Sequence, residues 1–320
     1  MPVLCGTDFS PRAGNALDAA IAIARRTKLP LSIVHAAGHH VQVAALPDTS
    51  HGLHDAAAHH AQLGEQLERA VATARARGIA ADGTLDPRAP DVALVDGARL
   101  PDSALLVLGA LGHTALERLL LGSVAERVAM ASPRPVLVVR DGAPWREWDA
   151  HRAPLRVAVA FDAGASARGA LAWAGWLASL GEVKLSACWV VHPAFENERH
   201  GATGEGAGVE LLPATLDALT SELAQRTRAL LPDRTVSLQL EANLGRVDRA
   251  LVDWSQRERA DLLVVGSHQR HGFERLWNAS ISRGLLHHAP MSVAVVPHAS
   301  AGAGAGTGAG AGEGGGTVRT

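Results

Sequence analysis

The sequence of 320 residues contains no tyrosine, two cysteines and only two lysines, Lys28 and Lys184. A P-loop holds phosphate with a lysine that follows a glycine-rich turn. Neither lysine does so, which excludes this class of nucleotide site. Cys5 and Cys188 lie in separate apolar stretches, which excludes a disulfide framework or a structural zinc site as an organising feature. Two isolated cysteines favour a reducing compartment, so we expect a cytoplasmic protein.

Long apolar runs and an excess of one charge are absent as well. No stretch of about 18 apolar residues is free of charged or turn residues, so no membrane-spanning helix is expected. The first residues, MPVLCGTDFSP, lack the basic region and apolar run of a secretory signal peptide. The formal net charge is -2 at pH 7, which provides no basic surface for nucleic acid at the level of the whole chain. We therefore expect neither a membrane nor nucleic acid as a partner.

The chain contains an internal duplication. The segment MPVLCGTDFSPRAGNALDAAIAIA, from Met1, aligns without gaps with LRVAVAFDAGASARGALAWAGWLA, from Leu155, and a second block from Asp102 aligns with the block from Arg259. Each copy has a normal length for one domain. We predict a first domain at 1–140, a linker at 141–153 and a second domain at 154–298, followed by a disordered Ala/Gly-rich tail at 299–320.

Both copies alternate apolar strand segments with amphipathic helices. In the first copy, apolar positions recur at helical spacing from Ala13 to Ala24, and Ser10-Pro11 is typical of an N-cap and first helical residue. Strands that alternate with helices predict an α/β fold with a parallel sheet and helices on both faces. We predict two tandem open five-stranded parallel sheets of order 3-2-1-4-5, a Rossmann-like arrangement.

A glycine-rich segment follows the fourth predicted strand. It consists of Gly109-x-x-Gly112, nine further residues and then Gly122-Ser123, where a helix is predicted to begin. Ser123 and Glu126 match a capping box, and a helix N-terminus is a common binding site for phosphate. Glycines also allow the backbone to approach a ligand closely. The alternative is a glycine-punctuated turn with no ligand, and spacing alone does not decide between the two.

An acidic residue, Asp8, ends the first predicted strand. With the strand order given above, strands 1 and 4 flank the point where the winding reverses, and ligands of such sheets bind there. Asp8 would then face the same crevice as Gly109 and accept hydrogen bonds from a base or ribose. The alternative is that Asp8 caps the first helix together with Ser10.

The segments VLGALGHTALERLLLGSVAERV, CGTDFSPRAGNAL and RPVLVVR together resemble the universal stress protein family, and the resemblance extends over both halves. It implies a five-stranded parallel sheet of the HUP type, and the glycine spacing is that of the ATP-binding branch. By this resemblance, Asp8 and the backbone near His35 and Ala36 contact adenosine. The rest of the expected nucleotide site consists of Thr7, Gly109, Gly112, Gly122, Ser123 and Val124.

The second half departs from this pattern. Gln269 stands where the first half has Gly112, Ala279 replaces Gly122, and Phe161 replaces Thr7. The Gln side chain would occupy space that phosphates need, and Ala disfavours a positive-φ backbone. We therefore expect the second half not to bind ATP in the manner of the family.

The resemblance implies an ATP-binding regulatory module of the stress response, with Mg²⁺ as an optional companion of the nucleotide. We expect slow ATP hydrolysis at most, because no general base, arginine finger or carboxylate cluster is evident. Asp86 is a possible carboxylate ligand for the metal ion. The histidines between 35 and 60 match no defined metal-binding pattern. The main alternative is a scaffold that binds no nucleotide and acts through other proteins. An adenylating enzyme is disfavoured because its motifs are missing.

The last predicted strand of each half, Pro135 to Arg140 and Ser292 to Pro297, has the character of a sheet edge. In the family such strands pair two domains, so we expect the two halves to dock as an intramolecular pseudo-dimer. A homodimer of the whole chain is left open.

Overall fold

A computed structural model describes residues 2–38, 50–101, 103–110, 121–162, 164–267 and 275–298, with the backbone alone for 50–57 and 275–279. Strands and helices alternate along this part of the chain, and the fold is of the α/β class. The strands are β1 (Val3–Gly6), β2 (Leu31–Ala36), β3 (Ala81–Asp86), β4 (Leu105–Gly109), β5 (Val136–Val139), β6 (Leu155–Phe161), β7 (Val183–Val191), β8 (Val236–Ala242), β9 (Leu262–Ser267) and β10 (Ser292–Pro297). The helices are α1 (Pro11–Thr27), α2 (Ser50–Ala76), α3 (Pro90–Arg99), α4 (Ser123–Ala131), α5 (Ala143–Asp149), α6 (Ala165–Ser179), α7 (Pro193–Arg199), α8 (Pro213–Leu230), α9 (Val247–Arg257) and α10 (Arg275–His288).

The described strands form one continuous ten-stranded sheet, in the order β3-β2-β1-β4-β5-β10-β9-β6-β7-β8. Within each half the predicted order 3-2-1-4-5 is present, and neighbouring strands run parallel. The two predicted five-stranded sheets join into one, because β5 and β10 pair antiparallel, with Val138 opposite Val293 and Val136 opposite Val295. Both strands are apolar and would otherwise be exposed edges, so their pairing satisfies the backbone groups of both edges.

The first helix begins and ends where its sequence requires. The N-cap Ser10 accepts a hydrogen bond from the backbone amide of Ala13 at 3.1 Å, and Pro11 is the first helical residue, as predicted. The helix ends at Lys28, which adopts the left-handed conformation with φ 58°. The chain leaves the helix α2 through Gly78, also at positive φ.

Two glycines at strand ends allow helices to pack closely on the sheet. A Cβ atom on Gly109 would lie 3.1 Å from the backbone oxygen of Arg12 in α1. At the corresponding place in the second half, a Cβ atom on Gly266 would overlap the backbone oxygen of Ser166 in α6. Both glycines therefore have a packing role that is independent of any ligand.

Apolar side chains cover both faces of the sheet. Val3 and Cys5 of β1 are fully buried in the cluster that contains α1, whereas Leu4 is buried in the cluster that contains α3. Strands buried on both faces account for the apolar strand sequences without polar alternation. No helix in the described ranges is long and apolar enough to cross a membrane.

The segment predicted as a linker contains the short helix α5. Its Trp145 and Trp148 are buried side chains that meet edge to face, with ring centroids 6.1 Å apart. The guanidinium of Arg26, in α1, lies 4.1 Å from the Trp148 ring centroid and donates a hydrogen bond to the Leu180 carbonyl at 2.9 Å. The segment is thus a packed element that contacts both halves.

Three of the sequence-based expectations concern residues outside the described ranges. They are the role of Gly112, the effect of Gln269 and the disorder of the tail at 299–320. Residues 39–49 of the histidine-rich segment also lie outside these ranges.

Candidate functional site

A cleft of about 230 Å³ lies in the first half at the carboxyl ends of the central strands. The strand β1 lies between β2 and β4, so the winding reverses beside β1 and leaves a crevice there. Eight of the nine residues predicted for the site line this cleft: Thr7, Asp8, His35, Ala36, Gly109, Gly122, Ser123 and Val124. Other residues also line the cleft, among them Pro90 and Leu94 of α3, which were not predicted from the sequence. The signal that could have found them is the apolar face of that helix.

The exit of β1 is a tight turn that is held by two side chains. The Oγ1 atom of Thr7 accepts a hydrogen bond from the backbone amide of Phe9 at 3.0 Å, and Oδ1 of Asp8 accepts one from the amide of Ser10 at 3.0 Å. Phe9 adopts φ 62°, an uncommon conformation for a bulky residue. Asp8 therefore lines the cleft and also supports the start of α1, so both alternatives for its role are compatible with the geometry.

The His35 ring forms part of the wall beside β2. Its Nδ1 atom lies 2.8 Å from the carbonyl oxygen of Thr7, and a carbonyl can only accept, so Nδ1 carries the hydrogen. The ring stacks on Phe9 with centroids 4.5 Å apart. These contacts fix the orientation of a buried polar ring at the edge of the cleft.

The helix α4 begins at the cleft. Gly122 is its N-cap, with φ -71° and ψ 139°, and the first helical hydrogen bond runs from the amide of Glu126 to the Gly122 carbonyl at 3.1 Å. The amides of residues 123–125 precede that bond and have no intrahelical acceptor, so the positive end of the helix faces the cleft. A backbone at this φ suits any residue. Gly122 therefore needs no positive φ, and the expectation that Ala279 disfavours the corresponding backbone conformation is wrong.

The predicted capping box is also wrong. Ser123 is the first helical residue rather than the N-cap, and the Glu126 carboxylate turns away from the helix start. It pairs with Arg283 at 2.7 Å and with His287 at 3.1 Å, both in α10 of the second half. Two cationic or polar partners on a neighbouring helix compete with a single backbone amide for this carboxylate.

Asp86, the candidate for a metal-side carboxylate, is engaged elsewhere. Arg88 donates to both of its oxygens, at 3.0 Å from Nε to Oδ1 and 2.7 Å from Nη2 to Oδ2. These hydrogen bonds hold the pKa of Asp86 below its ordinary value despite partial desolvation. Asp86 does not line the cleft. Among the residues that the structure describes, no group of three or more His, Cys, Asp or Glu side chains could hold a metal ion.

The second half has a cleft of about 200 Å³ at the corresponding place. Phe161 and Trp189 occupy the positions of Thr7 and His35, and their rings meet edge to face with centroids 5.8 Å apart. The helix α10 begins at Arg275, so the positions that correspond to Gly122 and Ser123 lie inside a helix. The second half therefore presents no helix N-terminus at that position.

The comparisons with known proteins agree on one family. The model of the universal stress protein family matches residues 1–140 and again residues 155–297. The chain is 28% identical over 146 residues to the universal stress protein YxiE of Bacillus subtilis, covering 43% of this chain and 97% of that protein. It is 38% identical over 76 residues to the universal stress protein MJ0531 of Methanocaldococcus jannaschii, covering 24% of this chain and 45% of that protein.

A solved structure extends the likeness to the whole fold. The crystal structure of a universal stress protein from Archaeoglobus fulgidus superimposes with a TM-score of 0.64 and 18% identity, covering 93% of this chain and 98% of that one. At this identity the likeness concerns the fold.

Proposed function

Because the chain belongs to the universal stress protein family, we propose that its first half binds an adenine nucleotide, ATP, and that binding has a regulatory rather than a catalytic role. The observation that supports this proposal is that Asp8 and the N-terminus of α4 face one cleft. An acceptor for a nucleoside and a cluster of backbone donors for phosphate are the two groups that such a ligand requires. The cytoplasm is the compartment that we propose for this function.

The walls of the cleft suit the separate parts of a nucleotide. Val34, Leu94 and Leu108 form an apolar surface for a base, and the backbone of Ala36 lies beside it. Asp8 would accept a hydrogen bond from the base or ribose. The amides of Ser123 and Val124 would donate to the phosphates, which explains how the site functions without a lysine.

A bound Mg²⁺ would neutralise phosphate charge. In this proposal its ligands are phosphate oxygens and water, since Asp86 is paired with Arg88. Asp8 is the one carboxylate among the described residues that line the cleft, and it also bonds to the Ser10 amide. We therefore propose that the site retains ATP, with hydrolysis slow at most.

The duplication supplies a matched pair of variants that tests this site. Ala36 lines the first cleft, and Val190 lines the second cleft at the corresponding position of β7. A tryptophan at either position places the same bulky ring in one of the two clefts. By calorimetry with the full chain, Ala36→Trp should weaken ATP binding by at least about tenfold, whereas Val190→Trp should leave it unchanged.

Two results would contradict the proposal. The first is no heat of ATP binding with the unmodified protein, combined with no adenine nucleotide released by denaturing the freshly purified chain. The second is equal loss of ATP affinity in both tryptophan variants while both retain the native circular dichroism spectrum. The first result favours the alternative, a scaffold that binds no nucleotide. The second removes the assignment of the bound ATP to the first cleft.

A further inference from the structure

We propose that Arg283, in the second half of the chain, is a positioning residue of the nucleotide site in the first half. It neutralises Glu126, an acid in the first turn of the helix whose free amides face the cleft. The Nε atom of Arg283 lies 2.7 Å from Oε1 of Glu126, so the contact joins the two halves. This inference rests on the proposed function and names a residue that sets the affinity of that same site.

Glu126 lies where a carboxylate opposes the binding of phosphate. Residues 123–125 of α4 line the first cleft, and Glu126 is the next residue of the helix. The positive end of a helix attracts anions near its first turn. An uncompensated carboxylate there lowers the positive potential that the free amides offer to phosphate oxygens, and it repels the phosphate charge directly. A partner that cancels this carboxylate charge therefore favours phosphate binding at the start of α4.

Both oxygens of this carboxylate have a partner on α10. Arg283 contacts Oε1, and Nε2 of His287, one turn further along the same helix, lies 3.1 Å from Oε2. The next residue of α4, Arg127, is paired as well, with Asp91 of α3 at 2.7 Å. Glu126 and Arg127 are the two charged residues of α4. The helix therefore faces the cleft with each of its side-chain charges compensated.

The ion pair exists because the two copies of the duplication differ at one equivalent position. In the alignment of the repeated blocks, Glu126 and Arg283 occupy the same place in their respective helices. The helices α4 and α10 therefore meet at equivalent positions, as in a twofold-symmetric pair. Two identical first halves would place two acids opposite each other, and the carboxylate of α4 would stay uncompensated. The second half thus supplies a charge that a second copy of the first half could not supply.

Single and double substitutions in the full chain separate charge compensation from a merely structural contact. ATP affinity would be measured by calorimetry at about 0.01 M ionic strength and at pH 8, where an ordinary imidazole carries no charge. Arg283→Ala should weaken ATP binding about three- to tenfold, whereas Glu126→Gln should strengthen it, because affinity follows the net charge of the pair. The double variant Glu126→Gln/Arg283→Ala should bind ATP as the unmodified chain does, within about twofold.

Salt and a distant ion pair provide the controls. At about 1 M salt the Debye length is about 3 Å, so Arg283→Ala should bind ATP as the unmodified chain does. Arg152 donates two hydrogen bonds to Glu147 in an exposed pair, and neither residue lines the first cleft. Arg152→Ala changes the net charge of the chain as Arg283→Ala does, and it should leave ATP affinity unchanged.

Three results would overturn this inference while ATP binding itself persists. They are unchanged affinity in Arg283→Ala, weaker affinity in both Arg283→Ala and Glu126→Gln, and an equal loss in Arg283→Ala and Arg152→Ala. The second result would mean that the pair only holds α4 in place. The Arg283 side chain is largely exposed, and Arg283→Gln is a second neutral variant in case the alanine variant does not fold. No ATP binding by the unmodified chain would instead refute the proposed function, and this inference with it.

Discussion

Replacing Asp8 by asparagine separates its two roles. The carboxylate lines the first cleft, and its Oδ1 atom accepts the Ser10 amide at 3.0 Å at the start of α1. The asparagine side-chain oxygen can accept the same amide hydrogen bond, so the turn before the helix persists. What Asp8→Asn removes is the negative charge and one acceptor oxygen facing the ligand.

The expected loss of affinity follows from the energy of a hydrogen bond to a charged group. Such a bond contributes about 1.5–3 kcal/mol, which corresponds to about 10- to 150-fold in the dissociation constant for ATP. The change in stability should be smaller. Loss of a negative charge near the N-terminus of α1 costs about 0.3–1 kcal/mol through the helix dipole. Affinity should therefore fall far more than stability.

Asp162 provides the control, because its Oδ1 accepts the Gly164 amide at 2.6 Å before α6, in the same type of turn. Asp162→Asn should lower the free energy of unfolding as much as Asp8→Asn does and leave ATP affinity unchanged. The measurements are calorimetry with ATP and urea denaturation of both variants. Unchanged ATP affinity in Asp8→Asn, or an equal fall in both variants, would refute the assignment of Asp8 to the ligand.

Three further predictions concern packing and the thiols. Gly266→Ala should reduce the free energy of unfolding by about 1–3 kcal/mol, as measured by urea denaturation. Gly109→Ala should reduce it by less, because the backbone oxygen that the new Cβ atom would meet is farther away. Burial raises the pKa of Cys5 to about 12 and also raises that of Cys188. Few thiolates therefore form near pH 8, and mass spectrometry should detect alkylation by iodoacetamide only after unfolding. Arg26→Ala should lower the free energy of unfolding by about 2–4 kcal/mol, because the contact with the Trp148 ring and the hydrogen bonds are lost. Arg26→Lys should lower it less, because lysine keeps the positive charge. Equal thermal stability of Arg26→Ala and the unmodified chain would contradict this role of Arg26.

Local signals in the sequence were sufficient for most of the fold within each half. Ser10-Pro11 predicted the start of α1 because capping depends on neighbouring residues. The alternation of strands and helices favoured a Rossmann-like strand order, since right-handed crossovers leave few topologies. The placement of Asp8 and Gly109 at one cleft then followed from the strand order.

Contacts between distant segments were not predictable in this way. The capping box failed because Glu126 is drawn to Arg283 and His287, residues more than 150 positions away in the chain. The segment that contains α5 was predicted to be a linker, because seven residues are too few to show a helical periodicity of apolar residues. Its tryptophans are buried against segments that are distant in the sequence. The two halves were expected to dock through their last strands, β5 and β10. That this docking makes one continuous sheet depends on the register of two short strands, which the sequence does not specify.

The same distant contacts give the duplication a physical consequence. Residues 123–125 of α4 line the first cleft, and Glu126 follows them directly. Its carboxylate pairs with Arg283 and His287 of α10, and Ile281 of that helix lines the second cleft. A ligand that moved α10 would therefore change the position of α4, the helix whose free amides face the first cleft. Because surface ion pairs are individually weak, the coupling between the two clefts should be modest unless the packing of α10 against α4 changes as well.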